Sequence, residues 1–417
     1  GAESDFPAEA VIAYVFEFYV VGYKHAVPVL SRAALGLELC NLALLKMSVS
    51  VHRAKVRKKS NVGSNCYLCV MKIFKWILIL ASLALAATAF VWFRDNKMPN
   101  IGKRYILYVT PGMSSAQVRD SLLKNGIIRS ASSLDRCFKS EDLTANLKVG
   151  RYQLDSGMTS RYVCRMLSHA WETPTKIVVE NYNTRSLGRL AKKIAATLLA
   201  ESATVAKALT DDEFLKKYGV TSTTVTSLII PDTYIVYWTA DMDRICSKFA
   251  AERDKFWNDD RKAKAEALGL SPLEVSILAS IVSEETRRVE DYPKIASVYL
   301  NRLRKGMKLQ ACPTVAYLYD YKLSQILHKH LQTASPYNTY LNSGLPPGPI
   351  CSPTRECLDA VLNPDSNKYL YFCASPDFDG THRFATTYTE HMRNSRAYSA
   401  ALQKRQKEKA AAEKAAK

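Results

Sequence analysis

The longest unbroken apolar stretch lies early in the chain. From Trp76 to Phe93 there is no charge, proline or glycine, with Lys72 and Lys75 before it and Arg94 and Asp95 after it. A helix of that length crosses a bilayer. Arg53, Lys55, Arg57, Lys58 and Lys59 also precede it, and residues 51–75 contain no acidic side chain. The positive-inside bias therefore predicts a cytoplasmic N-terminus, with everything beyond Arg94 on the outer side. A cleaved signal peptide is the competing reading. The run is longer than a signal core, and Ala86 and Ala87 lie inside it rather than before a polar start. The pattern favours a retained anchor over residues 71–94. Residues 10–22 are apolar but interrupted by Glu17, and 26–46 are only loosely apolar, so neither is a clean span. Met71-Lys72-Ile73-Phe74-Lys75 reads as a natural start, and 1–70 are expected to be an unassigned extension with no catalytic role.

Past a polar linker, 95–103, the periodicity changes to short alternations. Tyr105 to Val109 predicts a strand. Pro111 to Ser115 predicts a turn and helix cap, and Val118, Leu122 and Leu123 a helix face. The pattern returns with Tyr152-Gln153-Leu154, then Gly157-Met158-Thr159-Ser160, then Val163 and Leu167. A looser third copy runs from Ile177-Val178-Val179 through Asn183-Thr184 to Leu187, Leu190 and Ile194. Repeated strand–turn–helix units predict a small sheet with packed helices, serving either as a connector or as a glycan binder. Residues 185–270 read as mainly helical, broken at Pro231-Asp232-Thr233-Tyr234. Tyr234, Tyr237 and Trp238 crowd at that break, where rings either stack on sugars or fill a core.

The segment Ala279-Ser280-Ile281-Val282-Ser283-Glu284-Glu285-Thr286 carries the candidate chemistry. Leu273, Ile277, Leu278, Ile281 and Val282 approach it at helical spacing. Glu285 stands four residues after Ile281 and three after Val282, on the apolar face. A carboxyl group among aliphatic side chains loses hydration, so its pKa rises, and a Glu kept protonated at neutral pH serves as a general acid. The plain alternative is a helix-end Glu paired with Arg287 or Arg288 on the surface. A second helix is predicted over about 293–304, with Ile295, Val298, Tyr299 and Leu303 as its apolar set and Lys305-Gly306 as its end. Three loops follow: Met307 to Val315, Pro336 to Tyr340 and Gly344 to Ile350. Rigid Pro/Gly loops bearing amides, hydroxyls and rings suit polyol recognition.

Composition narrows the partners. A length of 417 residues allows two or three domains, the hydrophobic share of 47% supports a sizeable core, and the net charge of +19 points to polyanionic surroundings. The basic residues form no stripe with interleaved aromatics, which argues against nucleic acid. Seven of the ten cysteines follow the anchor. Their spacings do not make a disulfide framework, although Cys351 and Cys357 are near enough in sequence to meet. Cys66-x-x-Cys69 lacks the second pair or His that a zinc site needs. No phosphate-cradling Gly loop or His-rich site implies a cofactor or metal.

Taken in order, these segments resemble the YceG-like family, the endolytic murein transglycosylases of the bacterial cell envelope, over about residues 71–400. The resemblance rests on Ala279-Ser280-Ile281-Val282 with Glu285-Thr286, Ala296-Ser297-Val298 with Asn301-Arg302-Leu303, and Leu309-Gln310 with Pro313-Thr314. Tyr337-Asn338-Thr339-Tyr340 and Gly344-Leu345-Pro346-Pro347-Gly348 also match, as do Pro231 to Tyr234, Tyr369 to Phe372, and His382 with Phe384. It implies an α+β, membrane-anchored chain: a small LysM-like α+β module at 104–175, a mixed α/β catalytic domain at 176–399 and a charged tail at 400–417. It further implies cleavage of MurNAc–GlcNAc β-1,4 bonds within glycan strands, with formation of 1,6-anhydroMurNAc and termination of nascent strands. Glu285 takes the catalytic place, and Gln310, Thr314, Tyr337, Asn338, Thr339 and Tyr340 are the substrate-binding candidates. The implied partners are peptidoglycan strands, the inner membrane and peptidoglycan synthases, with a periplasmic catalytic domain and a cytoplasmic N-terminus. Two positions depart from the family pattern: Ser283 where a Glu is frequent, and Cys312 where an Asp usually precedes Pro-Thr. A muramidase-type hydrolase and a noncatalytic wall-binding scaffold are the rival readings.

Overall fold

The computed structural model describes residues 64–415; the expectations for 1–63, and for the Cys66 and Cys69 side chains, lie outside the described residues. The chain divides into two units, Gly1–Asn100 and Ile101–Lys417. In the first, helix α1 (Ser64–Lys97) contains a stretch, Met71–Lys97, long and apolar enough to cross a membrane.

The second unit holds three apolar cores in sequence order. The first is built on β1 (Tyr105–Val109), α2 (Ser115–Lys124), α3 (Ala131–Ser140), β2 (Gly150–Leu154) and α4 (Ser160–Ser168). β1 and β2 pair antiparallel, with Leu107 opposite Tyr152. Leu107, Val109, Tyr152 and Leu154 turn inward against Val118, Leu122, Leu134, Val163 and Leu167. The predicted caps form: the Ser114 side chain accepts from the Gln117 N–H in a capping box, and Thr159 accepts from the Tyr162 N–H.

The third repeat does not join that sheet. β3 (Thr175–Val179) pairs antiparallel with β4 (Asp232–Val236), the segment read from sequence as a helix break. The cause is local: Tyr234 and Val236 are inward residues of a strand facing Ile177 and Val179. α5 (Leu187–Ala195), α6 (Ser202–Thr210) and α7 (Met242–Phe256) complete this second core. Of the three aromatics at the break, Tyr234 is buried edge-on to Phe249 and donates to the Ile230 carbonyl, Trp238 is buried, and Tyr237 is exposed. Two of the three therefore fill cores.

The third core surrounds α8 (Pro272–Glu285). Ser271 and Glu274 form a capping box and Pro272 starts the first turn, so the helix begins sharply. Val275, Leu278, Ala279, Ile281 and Val282 are completely buried, because α9 (Tyr292–Arg304), α11 (Arg355–Leu362) and α10 (Cys312–Leu318) all pack against α8. α9 stops at Lys305, and Gly306 takes the left-handed conformation (φ +66°) that its end requires. Hairpin β5 (Tyr371–Ala374) and β6 (His382–Ala385) leads to α12 (Tyr388–Ala415). The fold is α+β: helices and strands mix throughout, but the strands pair only antiparallel, with no βαβ crossover among the described residues. Cys351 and Cys357 are buried and remain thiols.

The Gly-Leu-Pro-Pro-Gly segment and the residues after it join the second and third cores. The Ile350 N–H donates to Ser280 Oγ on α8, the Ser352 N–H to Thr184 Oγ1, and Ser352 Oγ to the Thr226 carbonyl. Gly348 sits so close to Thr223 that an added Cβ would lie 2.2 Å from its carbonyl oxygen. Gly348→Ala should therefore destabilise the protein by about 2 kcal/mol, since backbone rather than a flexible side chain must give way. Thermal unfolding of the purified chain tests this; an unchanged midpoint would contradict the joint.

Candidate active site

Glu285 is the last residue of α8; Thr286 beyond it is extended (φ −147°, ψ 158°). The apolar stripe thus delivers the carboxyl to the point where the helix opens. Part of the residue's surface still reaches solvent, but protein surrounds the carboxyl group closely. Loss of hydration pushes its pKa up to about 7, and the Glu284 charge adds to the rise. Opposing this are a hydrogen bond from Tyr299 and the positive charge of Arg302. The Tyr299 hydroxyl donates to Glu285 Oε1 at 2.5 Å. The surface pairing with Arg287 or Arg288 does not occur: the partner is Tyr299, and Arg288 donates to the Asp379 carbonyl.

Tyr299 and Arg302 come from α9 and are almost fully buried. Arg302 donates through Nε to the Leu370 carbonyl (2.7 Å) and through Nη1 to the Leu309 carbonyl (2.9 Å), with Gln310 Oε1 at 3.4 Å. Its guanidinium lies 5.1 Å from the Tyr371 ring centroid. One side chain thereby ties α9 to the loop before α10 and to the hairpin. Periodicity alone places Tyr299 in an apolar set, and Arg302 stands only in a motif of the family resemblance. The available signal was the spacing Ile295, Tyr299, Arg302, which sets an arginine on the apolar face of a helix.

The two polar loops zip together beside this pair. Gln310 is left-handed (φ +50°), which turns its N–H onto the Thr339 carbonyl at 3.1 Å. The Ala311 N–H donates to Thr339 Oγ1, and Thr314 Oγ1 lies 2.9 Å from Thr339 Oγ1. Asn338 gives its amide to the Leu331 and Thr333 carbonyls and accepts from the Tyr340 N–H. Thr314, Asn338 and Thr339 are buried, so they build the loop wall from inside. Tyr337 is half-buried against Tyr317 (centroids 4.8 Å). Gln310 is exposed and Tyr340 half-exposed, its hydroxyl 3.1 Å from Cys312 Sγ. Both Tyr340 and Cys312 lie within electrostatic reach of Glu285.

The two departures from the family pattern have plain environments. Ser283 is buried, donates to the Ser280 carbonyl and lies against Cys351. Cys312 is exposed at the start of α10, and desolvation raises its pKa, keeping it a neutral thiol. Neither position supplies a second carboxylate. Glu284 is held by Arg185 through both oxygens, with its side chain 4% exposed, and so is turned away from solvent. The arrangement can lend and recover one proton at a site bordered by amide, hydroxyl and thiol groups. Among the described residues no group of three His, Cys, Asp or Glu side chains is arranged to hold a metal.

The sequence profile of the YceG-like family matches residues 107–397. An endolytic murein transglycosylase of Bacillus subtilis (strain 168) is 28% identical over 298 residues, covering 68% of this chain and 81% of that protein. One from Streptococcus pneumoniae (serotype 2, strain D39) is 26% identical over 325 residues, covering 70% of this chain and 58% of the relative's length. The crystal structure of a putative yceG-like protein from Listeria monocytogenes is similar with a TM-score of 0.49 and 28% identity, over 70% of this chain and 98% of that one.

The raised Glu285 pKa has a consequence for stability. The unfolded chain releases this proton near the ordinary 4.5, the folded protein only near 7. Folding stability therefore falls as pH rises from about 4.5 to 7, and the loss is complete above 7. Glu285→Gln should be more stable than the parent by about 2–3 kcal/mol at pH 8, the gap closing towards pH 4. Denaturant unfolding of both proteins at the two pH values measures this; a gap independent of pH would contradict it.

Proposed function

The chain belongs to the YceG-like family, and from that premise we propose that it is an endolytic murein transglycosylase in which Glu285 acts first as acid and then as base. Its substrate is peptidoglycan and its reaction that of a lyase: the β-1,4 bond between MurNAc and GlcNAc breaks within a glycan strand. The observation that carries the assignment of Glu285 is a single carboxyl group, desolvated to a pKa of about 7, with its neighbour Glu284 locked in an ion pair.

Glu285 gives its proton to the glycosidic oxygen as the bond to C1 of MurNAc breaks, and positive charge develops at C1. The resulting carboxylate then takes the proton of the MurNAc C6 hydroxyl while O6 bonds to C1. A 1,6-anhydro ring closes, the leaving GlcNAc carries the first proton away, Glu285 is protonated again and no water is consumed. An ordinary glycosidase divides this labour between two carboxyl groups. A pKa near the working pH lets one group do both, because proton donation and recovery are nearly balanced. Gln310 and Tyr340 contact the sugar, Tyr337 backs the loop, and Thr314, Asn338 and Thr339 hold the wall that presents them.

Helix α1 serves as a single-pass anchor in the inner membrane, with the N-terminus cytoplasmic and the catalytic part periplasmic; its length and apolarity and the basic residues before it support this. The core at 104–175 acts as a LysM-like module steadying the strand. Held there, the enzyme cuts nascent strands close to the membrane and so ends their elongation, and peptidoglycan synthases are the partners that position suits.

Glu285→Gln should fold and release no anhydro ends from isolated glycan strands; anhydro product from that variant would overturn the assignment. Mass spectrometry of the parent's products separates the lyase from a hydrolase with the same acid, since a reducing-end MurNAc is one water heavier. Gln310→Ala should raise KM about five- to tenfold, the effect of one lost hydrogen bond, with little change in kcat; an unchanged KM would remove Gln310 from the sugar contacts.

A further inference from the structure

We propose that Tyr299 is a positioning residue for this reaction: by donating its hydroxyl hydrogen to Oε1 of Glu285, it leaves Oε2 as the oxygen that carries the transferable proton. The inference rests on Glu285 being the acid–base group and adds a residue that fixes which of its oxygens works.

The hydrogen bond joins the end of α8 to the middle of α9 at 2.5 Å, and the phenol that makes it is 2% exposed. Tyr299 has little freedom to leave. Its ring stands edge-on to Phe372 of the hairpin at 5.9 Å, and Arg302, three residues along the same helix, is bound to three backbone carbonyls. No described protein group donates to Oε2, and that oxygen is not sealed inside the protein. Oε1 thus has a fixed donor, while Oε2 is left for the sugar.

A buried phenol so close to a carboxylate holds its own proton far above neutrality, because desolvation and then the Glu285 charge oppose its ionisation. Tyr299 is therefore a donor in both halves of the cycle. While Glu285 is the acid, Oε1 accepts as a carbonyl oxygen and the acidic hydrogen belongs on Oε2. Once the proton has gone to the glycosidic oxygen, the same hydrogen bond stabilises the carboxylate, and Oε2 collects the C6 hydroxyl proton. Tyr299 also moderates the burial of Glu285: a bond to the charged form favours that form. The other groups facing Glu285 are Glu284 on its own helix, Arg302 on α9, Cys312 at the start of α10 and Tyr340 in the adjoining loop. Glu284 stays paired with Arg185, Cys312 and Tyr340 stay uncharged, and all of these, like Arg302, are common to parent and variants.

Tyr299→Phe keeps the packed ring and deletes only the donor. Assayed as the full chain on isolated glycan strands across pH 5–9, with anhydro ends as readout, it should lose about tenfold in kcat with KM little changed. The high-pH limb of its profile should move up by about one pH unit, since the carboxylate has lost a stabilising bond. Placing 3-fluorotyrosine at 299, a stronger donor of nearly the same size, should move that limb down, and it keeps the test decisive if Tyr299→Phe folds poorly. A purely structural Tyr299 would shift neither limb. Glu285→Gln is run alongside. If it stays active, the reading of Glu285 fails and this proposal with it. If it is inactive while both Tyr299 variants keep the parent's rate and limb, the positioning role alone is overturned.

Discussion

Desolvation of one carboxyl group is the constraint around which the molecule is arranged. Glu285 ends a helix whose other inward residues are aliphatic, and ionising it there means placing a negative charge where water is scarce and the carbonyl ends of α8 already point. The same burial makes the group a proton donor at neutral pH and makes the fold less stable above it. A chemically simpler surface Glu would be cheaper to hold and useless as an acid at pH 7. Under the proposed mechanism, stability is given up at one point for reactivity at that point.

Much of the surrounding structure keeps that group in place. Capping by Ser271 and Pro272 sets where α8 begins, and the extended Thr286 ends it just after Glu285. The segment around Gly348 ties Ser280 of α8 to Thr184 and Thr226 of the neighbouring core. Arg302 binds three backbone carbonyls and so ties the Gln310 loop to the hairpin behind Tyr299. Glu284, one residue from Glu285, is held by Arg185. A second free carboxylate there would repel the charge that Glu285 carries midway through the proposed reaction.

The desolvated place of Glu285 could be read from the sequence because a charged residue on an apolar helical face is a strong local signal. The ends of α9 and the caps at Ser114 and Thr159 were equally legible, since caps and periodicity are encoded within a few residues. What escaped is non-local. The segment Pro231 to Tyr234 reads as a break until β3 offers it a partner some fifty-five residues upstream, and the third repeat then leaves the first sheet. Thr314, Asn338 and Thr339 have the chemistry of sugar ligands, but their hydroxyls and amide are consumed by each other and by loop carbonyls. Tyr299 reads as filler because a tyrosine on an apolar face usually is; only the approach of α8 gives its hydroxyl a partner.

The titration of Glu285 itself tests the account most directly. Carboxyl-specific infrared difference spectra or 13C NMR of glutamate-labelled protein, with Glu285→Gln as the blank, report the midpoint of this one group in the absence of substrate. A midpoint near 7 is expected. A carboxyl titrating near the ordinary 4.5 would be almost wholly ionised at neutral pH, and the single-residue acid–base mechanism would be contradicted.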